Sequence, residues 1–559
     1  MSGANGNGGL KVLTGRVVPC TERDSKDQRA VAIRDGRIVA VGDSSLIEKA
    51  REEGAEVLDY GERPILPGFV DPHVHLEEGS RANAEMVDCR APGCKNIEDV
   101  LQRLHESLPR AAESGWMVGQ GNLFFDQKLE EKRFPTKDEL DSVSTDVAIA
   151  IRAGSHRTVL NSKAFEVSGV ADYEGKSGVT GKAVVEVDQC GCPTGEISEL
   201  DGVLPIPVPD EDELRETFRT GVHDLFTSYG VTTIGEITNT REGLHCIDHL
   251  IDAGEAPLRV SLFLWAPGTV SIDEACRWEE HFQFHSDRDR LNVRGLKLFA
   301  DGGYSARNAA TRKPFKPPYA LRPGSRGSIN LNRRQILSAL KKANAAGLQL
   351  AVHANGERAQ DVACLAVENA GGLDESLRTR MEHGGNFISS SETTDNWRRA
   401  GVIPIGQPVF LYNFFGDFLP LYLGEHGEHG RLPLKTLLQD GWKVASSSDL
   451  HVGAEDRATN PMFSIWCCVE RQSFYGQTIE PEQRISVSEA LKLHTIYPAI
   501  SLGEGDNRGS LEPGKHADVI VLEEDPREVP SEKLLDVKVD HVFLAGDPVH
   551  SRPGAAAAA

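Results

Sequence analysis

Asp210-Glu-Asp-Glu-Leu-Arg-Glu-Thr-Phe-Arg-Thr-Gly-Val-His-Asp-Leu-Phe-Thr-Ser-Tyr-Gly-Val-Thr-Thr-Ile-Gly-Glu-Ile237 holds one complete helix–strand unit. Asp210 and Glu213 have the spacing of a capping box, so a helix starts after Asp210. Leu214, Phe218, Val222 and Leu225 recur at helical spacing and share one apolar face. Gly230 stands where a helix gives way to a left-handed turn, and Val231–Ile237 follows as a short strand. The same grammar recurs downstream: Asn332 with Gln335 opens a helix, Gly347 closes it, and Leu348–His353 is the next strand. Leu258–Trp265, Val293–Ala300, Arg378–His383, Val402–Gly406 and Lys443–Ser448 are further strand candidates, and Phe69–His75 stands in front. Eight strands alternating with helices close into a parallel (β/α)8 TIM-like barrel of the α/β class.

Both ends of the chain read differently. Leu10–Thr14, Ala30–Arg34, Arg37–Val41 and Glu56–Asp59 are strand-like, with Asp35-Gly36 as a hairpin signal, and Ala517–Leu522 and Val539–Ala545 resemble them near the end. This predicts a small β-sandwich domain built from both termini, residues 1–66 and 496–550, around a barrel at 67–495. The stretch 76–209 is too long for one strand-to-helix loop and is expected to be an insertion with its own packing. The alanine-rich end, 551–559, is expected to be a disordered tail.

Lys+Arg 61 against Asp+Glu 84 gives a net charge of −23 over 559 residues, which argues against a nucleic-acid partner, since phosphate binding needs a basic surface. No run of about 18 apolar residues predicts a membrane span, and the first residues lack the basic and apolar regions of a secretory signal. The ten cysteines show no zinc-type CxxC framework; Cys190-x-Cys192 and Cys467-Cys468 are the close pairs. Reduced thiols, a cytoplasmic location and a small-molecule substrate are the expectation, with a homodimer left open. Gly175-Lys-Ser177 lacks the first glycine of a phosphate loop, and there is no G-x-S-x-G for a serine hydrolase.

The chemistry-bearing residues gather at strand ends. In Pro67-Gly-Phe-Val-Asp-Pro-His73-Val-His75, alternate strand positions put both imidazoles on one face. Lys297 sits inside the apolar strand Gly295-Leu-Lys-Leu-Phe-Ala300, where an ammonium loses several kcal/mol of hydration unless paired or neutralised. His353 and His383 end two more strands and Asp449 ends the last. Any one of these is unremarkable as a core polar group; all at one end of one barrel point to the active-site mouth.

These motifs, with His353-Ala-Asn-Gly356, Glu382-His383, Lys297-Leu-Phe-Ala-Asp-Gly-Gly303 and Gly509-Ser-Leu-Glu-Pro-Gly-Lys-His-Ala-Asp518, resemble the amidohydrolase superfamily, and within it the family 3 branch that includes N-substituted formamide deformylases. The resemblance runs from about Lys11 to about Val549. It implies that His73, His75 and Asp449 bind one divalent metal, His353 and His383 a second, and a CO2-derived carbamate on Lys297 bridges them. It implies zinc, with manganese or iron as alternatives, and hydrolysis of a non-peptide C–N bond by a metal-bound hydroxide, with Asp449 as the catalytic proton shuttle. His156, in Gly154-Ser-His-Arg-Thr-Val-Leu-Asn161, resembles a histidine of that branch and is a candidate substrate contact. Arg307 is a candidate partner for a substrate carboxylate. The branch commonly has Gly-Ser-Asp then Pro where this chain has Ser447-Ser-Asp-Leu450, so the pocket beside the carboxylate differs. Hydrolytic deamination of a heterocycle on one metal, an inactive scaffold that retains the barrel, and attack on a phosphotriester are the competing readings.

Overall fold

The computed structural model describes residues 9–21, 28–111, 114–154, 156–173, 183–371 and 374–555. All eight barrel strands form: β1 (Phe69–Val74), β2 (Val231–Thr238), β3 (Arg259–Trp265), β4 (Leu291–Phe299), β5 (Gln349–His353), β6 (Arg380–Glu382), β7 (Ile403–Gly406) and β8 (Ala445–Ser446). Each pairs in parallel with its sequence neighbour, and β2 also pairs with β1. Closure comes just past the end of β8, where the Asp449 amide donates to His73 O at 3.0 Å and the His75 amide to Leu450 O at 2.8 Å. β1, β2, β5, β6 and β7 are buried along their full length, as strands covered on both faces must be.

The helix read from Asp210 runs Glu211–Leu225 with both bonds of its capping box. Gly230, at φ 78°, closes a short 3-10 turn that follows rather than the helix itself. β6 and β8 are shorter than expected. His383, which should continue β6, takes left-handed backbone at φ 67°, outside the strand region, and Asp449, three residues past β8, does the same at φ 49°.

The two termini share one seven-stranded sheet: Lys11–Val17, Ala30–Arg34, Arg37–Gly42 and Glu56–Pro67 with Val519–Leu522, Val539–Leu544 and Asp547–Ser551. It folds back on itself, since Arg37 at one edge bridges to His516, just ahead of a central strand. Leu13, Ile33, Ile65, Val519 and Phe543 fill the space enclosed. The last strand takes in Ser551, and Arg552 donates to Asp540 Oδ1 at 2.7 Å, so this part of the expected tail is ordered against the sheet. Residues 1–8, 556–559 and the glycine-lysine-serine stretch near 175 lie outside the described residues.

Between β1 and β2 stands a second, six-stranded sheet: Val87–Asp88, Trp116–Gly121, Ala148–Ala153, Arg157–Leu160, Val184–Val187 and Pro193–Ser198. Apolar clusters pack on it, one around Leu104 and Ile149, another around Leu160 and Ile197. It docks on the barrel mouth where Gly453, at φ 83°, meets Gly121 and Gly154; a Cβ there would stand 2.6 Å from the Gly121 carbonyl oxygen and the Gly154 nitrogen. Among the described residues no helix is long and apolar enough to cross a membrane.

Candidate metal centre

The barrel delivers six side chains to one cavity of about 90 Å³: His73, His75, Lys297, His353, His383 and Asp449 all line it. They come from the C-terminal ends of β1, β4, β5, β6 and β8, the end at which barrel enzymes place their chemistry. The ligand-type atoms of His73, His75 and Asp449 lie within 4.8 Å of one another. His73 Nε2 is 3.3 Å and His75 Nε2 3.8 Å from Asp449 Oδ1, and His383 Nδ1 is 3.8 Å from Oδ2. The rings of His353 and His383 meet edge to face at 4.6 Å.

Each imidazole is oriented from behind. His73 Nδ1 donates to Glu382 Oε2 at 2.5 Å, which turns the basic Nε2 toward the cavity. Glu382 is in turn held by Arg380 Nε at 2.8 Å, and Arg380 also donates to Pro72 O at 2.7 Å. His383 Nδ1 donates to Gln407 Oε1 at 2.9 Å. His353 Nε2 lies 3.3 Å from Gly302 O and 3.2 Å from Asn355 Nδ2, and His75 Nδ1 faces Asn239 Oδ1 at 3.4 Å. The left-handed backbone at His383 and Asp449 costs about 1–3 kcal/mol at each, strain that gathers where function requires it.

Lys297 is the unusual member. It is 0% exposed, its Nζ lies 3.0 Å from His73 Nε2 and 4.7 Å above the Phe299 ring, and among the described residues no carboxylate lies within ion-pair distance of it. Burial lowers its pKa to about 8, against the opposing pull of Glu382 and Asp449. Burial raises the Asp449 carboxyl, but the surrounding imidazoles, His73 foremost, outweigh it and hold the group far below the usual carboxylate range. Burial pushes His75 down to about 4 and His73 and His353 well below the usual imidazole range. Neutral inward-facing imidazoles, an ionised carboxylate and a readily deprotonated amine are the donor set a divalent cation takes. A second cluster, Asp248 with His249 and His285, is also close enough to chelate. The Asp248 carboxylate is already committed to the His285 and Ser286 amides at 2.9 and 3.0 Å.

The cavity wall is aromatic. Trp265 and Phe299 lie on one side, with ring centroids 5.0 Å apart, and Phe410 and Phe414 on another. The inserted sheet contributes Leu123, Phe124 and His156. Phe124 stacks on Phe414 at 5.2 Å and Phe418 at 5.4 Å and so fastens the insertion over the mouth. His156 thus lines the cavity. Arg307 does not: its guanidinium is turned to Glu186 at 3.1 Å and Glu196 at 3.6 Å on the inserted hairpin.

Sequence reasoning passes over Glu382, Arg380, Gln407 and the aromatic wall. One signal was available for Glu382: a carboxylate inside a buried strand needs a partner as much as Lys297 does.

The chain matches the family described as "Amidohydrolase family" over residues 56–550. It is 26% identical over 562 residues to the N-substituted formamide deformylase of Arthrobacter pascens, covering 98% of this chain and 99% of the relative. It is 25% identical over 520 residues to Protein LONG AFTER FAR-RED 3 of Arabidopsis thaliana, covering 88% and 83% of the two chains. In fold it resembles an uncharacterized metal-dependent hydrolase from Pyrococcus horikoshii OT3, with a TM-score of 0.71 and 23% identity, over 94% of this chain and 99% of the other.

Proposed function

The chain belongs to the amidohydrolase family, and from that premise we propose that it hydrolyses a non-peptide C–N bond in an amide, formamide or related N-acyl compound. The observation that carries this reading is Lys297, a fully buried amine among four imidazoles and a carboxylate with no ion-pair partner among the described residues. An ammonium there is costly. Reaction of the neutral amine with CO2 forms an N–C bond, releases a proton and leaves an anionic carbamate, which replaces the costly cation with a ligand.

His73, His75 and Asp449 would hold one divalent ion, His353 and His383 a second, and the Lys297 carbamate would lie between them, with zinc suited to such nitrogen and oxygen donors. When bound, the ions supply Lewis acidity that acidifies a water molecule and polarises the substrate carbonyl. Asp449, held ionised by its histidines, accepts the proton of the attacking water and returns it to the nitrogen as the C–N bond breaks. Water oxygen ends on the carbonyl carbon and the amine leaves protonated on nitrogen. Trp265, Phe299, Phe124 and Phe410 shelter the reaction from bulk water and receive the apolar part of the substrate. A one-metal deaminase leaves Lys297 without a task, and an inactive scaffold leaves the intact ligand set without one. A cytoplasmic location and a small-molecule substrate complete the proposal.

The test is a screen of zinc-reconstituted protein against formamides, N-acyl amino acids, carbamates and cyclic ureas, read as amine release. Chelator-sensitive release from at least one class is expected; none from any class in fully metal-loaded protein contradicts the reading.

A further inference from the structure

The helix Arg241–Asp252, which follows β2, ends where the connection into β4 begins, at the N-terminal end of the barrel and so at the face opposite the candidate metal centre. In barrels of this kind that face serves stability and the other serves chemistry. Asp248, 0% exposed, already joins the two segments: its Oδ2 accepts the His285 amide at 2.9 Å, its Oδ1 the Ser286 amide at 3.0 Å, and its carbonyl oxygen the Ser286 hydroxyl at 2.9 Å. That task uses only the backbone of residue 285 and nothing of residue 249. Both are nevertheless histidines, both are exposed, and their ring centroids stand 5.4 Å apart. The ligand-type atoms of Asp248, His249 and His285 lie within 4.8 Å of one another.

Two features separate this cluster from histidines that are neighbours by chance. Among the described residues no cation lies within ion-pair distance of the Asp248 carboxylate, and neither imidazole has a hydrogen-bond or ion-pair partner. A wholly buried carboxylate is ordinarily paired with a cation or bound to a metal. The two amides use one lone pair on each Asp248 oxygen and leave another on each, so the anion is fixed in place and still able to ligate. His249 also stands in the last turn of its helix, where the negative end of the helix dipole favours a cation. Exposed rings turn readily about their side-chain torsions, and bonds of about 2.0–2.1 Å to a common ion would draw the three donors together.

We propose that Asp248, His249 and His285 form a zinc site of their own, which staples the helix after β2 to the connection ahead of β4. Two imidazoles and one carboxylate suit zinc and disfavour magnesium and calcium, which take oxygen donors. The ion supplies the counter-charge that the buried carboxylate lacks. Because it binds the folded chain, where the three donors converge, it adds stability in step with its occupancy. The site stands apart from the residues that line the barrel cavity and does not depend on the hydrolase reading.

The experiment strips the wild type, His249→Ala, His285→Ala and His285→Cys of metal, dialyses each against about 10 µM free zinc, and assays bound zinc by atomic emission. The wild type is expected to hold one ion per chain more than either alanine variant, a difference that stands whatever the barrel cavity binds. His285→Cys, whose thiolate ligates zinc, should keep the ion that His285→Ala loses. Zinc should also raise the melting temperature of the wild type further than that of either alanine variant. Zinc-edge anomalous diffraction from the wild type should show a peak bounded by His249, His285 and Asp248. Equal zinc content in the wild type and the alanine variants, whether from no binding or from binding only at millimolar zinc, overturns the proposal. So does the absence of that peak, or a His285→Cys variant that loses the ion as His285→Ala does. Both histidines are exposed, so the variants are expected to fold, and the diffraction peak tests the site without any substitution.

Discussion

Glu382 Oε2 lies 2.5 Å from His73 Nδ1, and both side chains are completely buried. That one contact decides which nitrogen of His73 faces the cavity, and Arg380, equally buried, fixes Glu382 in turn. The orientation of the candidate ligand set is therefore built two residues deep before any ligand is bound.

Glu382→Gln keeps the shape and removes the charge. Metal affinity, measured by competition with a chromogenic chelator, is expected to fall about 10–100-fold, as is usual when the partner behind a ligating histidine is lost. Stability should fall as well, by about 3–5 kcal/mol, because Arg380 is left buried without its counter-ion. Unchanged affinity would show that Glu382 does not orient His73 for a metal.

Lys297→Ala is expected to abolish tight metal binding and activity, a larger loss than the roughly 10–100-fold of an outer partner. Formate or acetate added at high concentration should restore part of the activity by supplying the missing oxygen ligand. Lys297→Met carries a separate expectation: metal-free, it should melt no earlier than the metal-free wild type, since an apolar side chain replaces a buried cation that lacks a counter-ion. Wild-type turnover in Lys297→Ala would instead favour a one-metal reaction.

How far the sequence reaches follows from the range of each signal. Periodicity and capping are local, and they locate all eight barrel strands and the sheet shared by the termini. Backbone handedness is not written in side-chain pattern, so the early end of β6 before His383 and the left-handed turn at Asp449, three residues past β8, are visible only in the structure. Partner choice over long separations is equally hidden. Arg307 has the type and place of a substrate-binding residue, yet its partner Glu186 stands 121 residues away on a hairpin whose docking no local pattern records. Glu382 is read beside His383 as part of a motif, and its bond to His73 spans 309 residues.

Arg259 and Asp518 join the barrel to the terminal sheet through two hydrogen bonds of 2.6 and 2.9 Å, with both side chains almost wholly buried. Burial raises the Asp518 pKa, but Arg259 more than compensates, so its folded value lies below the ordinary 3.8. A depressed carboxyl contributes stability that is fully present above its unfolded pKa and is lost as the pH falls through the folded value. Asp518→Asn should thus cost about 3–5 kcal/mol at neutral pH and flatten the fall in stability below about pH 4. Urea unfolding followed across pH 2–7 checks both; parallel wild-type and variant curves would contradict the assignment.

Phe124 belongs to the insertion yet stacks on Phe414 and Phe418 and lines the cavity. Phe124→Ala should destabilise the protein by about 3–5 kcal/mol and raise KM for substrates with apolar N-substituents while leaving metal content unchanged. Steady-state kinetics on paired small and bulky substrates decide it, and a KM that rises equally for both would place Phe124 outside substrate recognition.

The most direct measurement is anomalous diffraction at the zinc edge from a crystal of the bicarbonate-treated, zinc-loaded protein. The expected map has two peaks inside the ring of His73, His75, His353, His383 and Asp449, with density continuing beyond Lys297 Nζ to a group that touches both. A single peak, no peak in this cavity, or a Lys297 amine that ends at Nζ in fully loaded protein would contradict the binuclear centre.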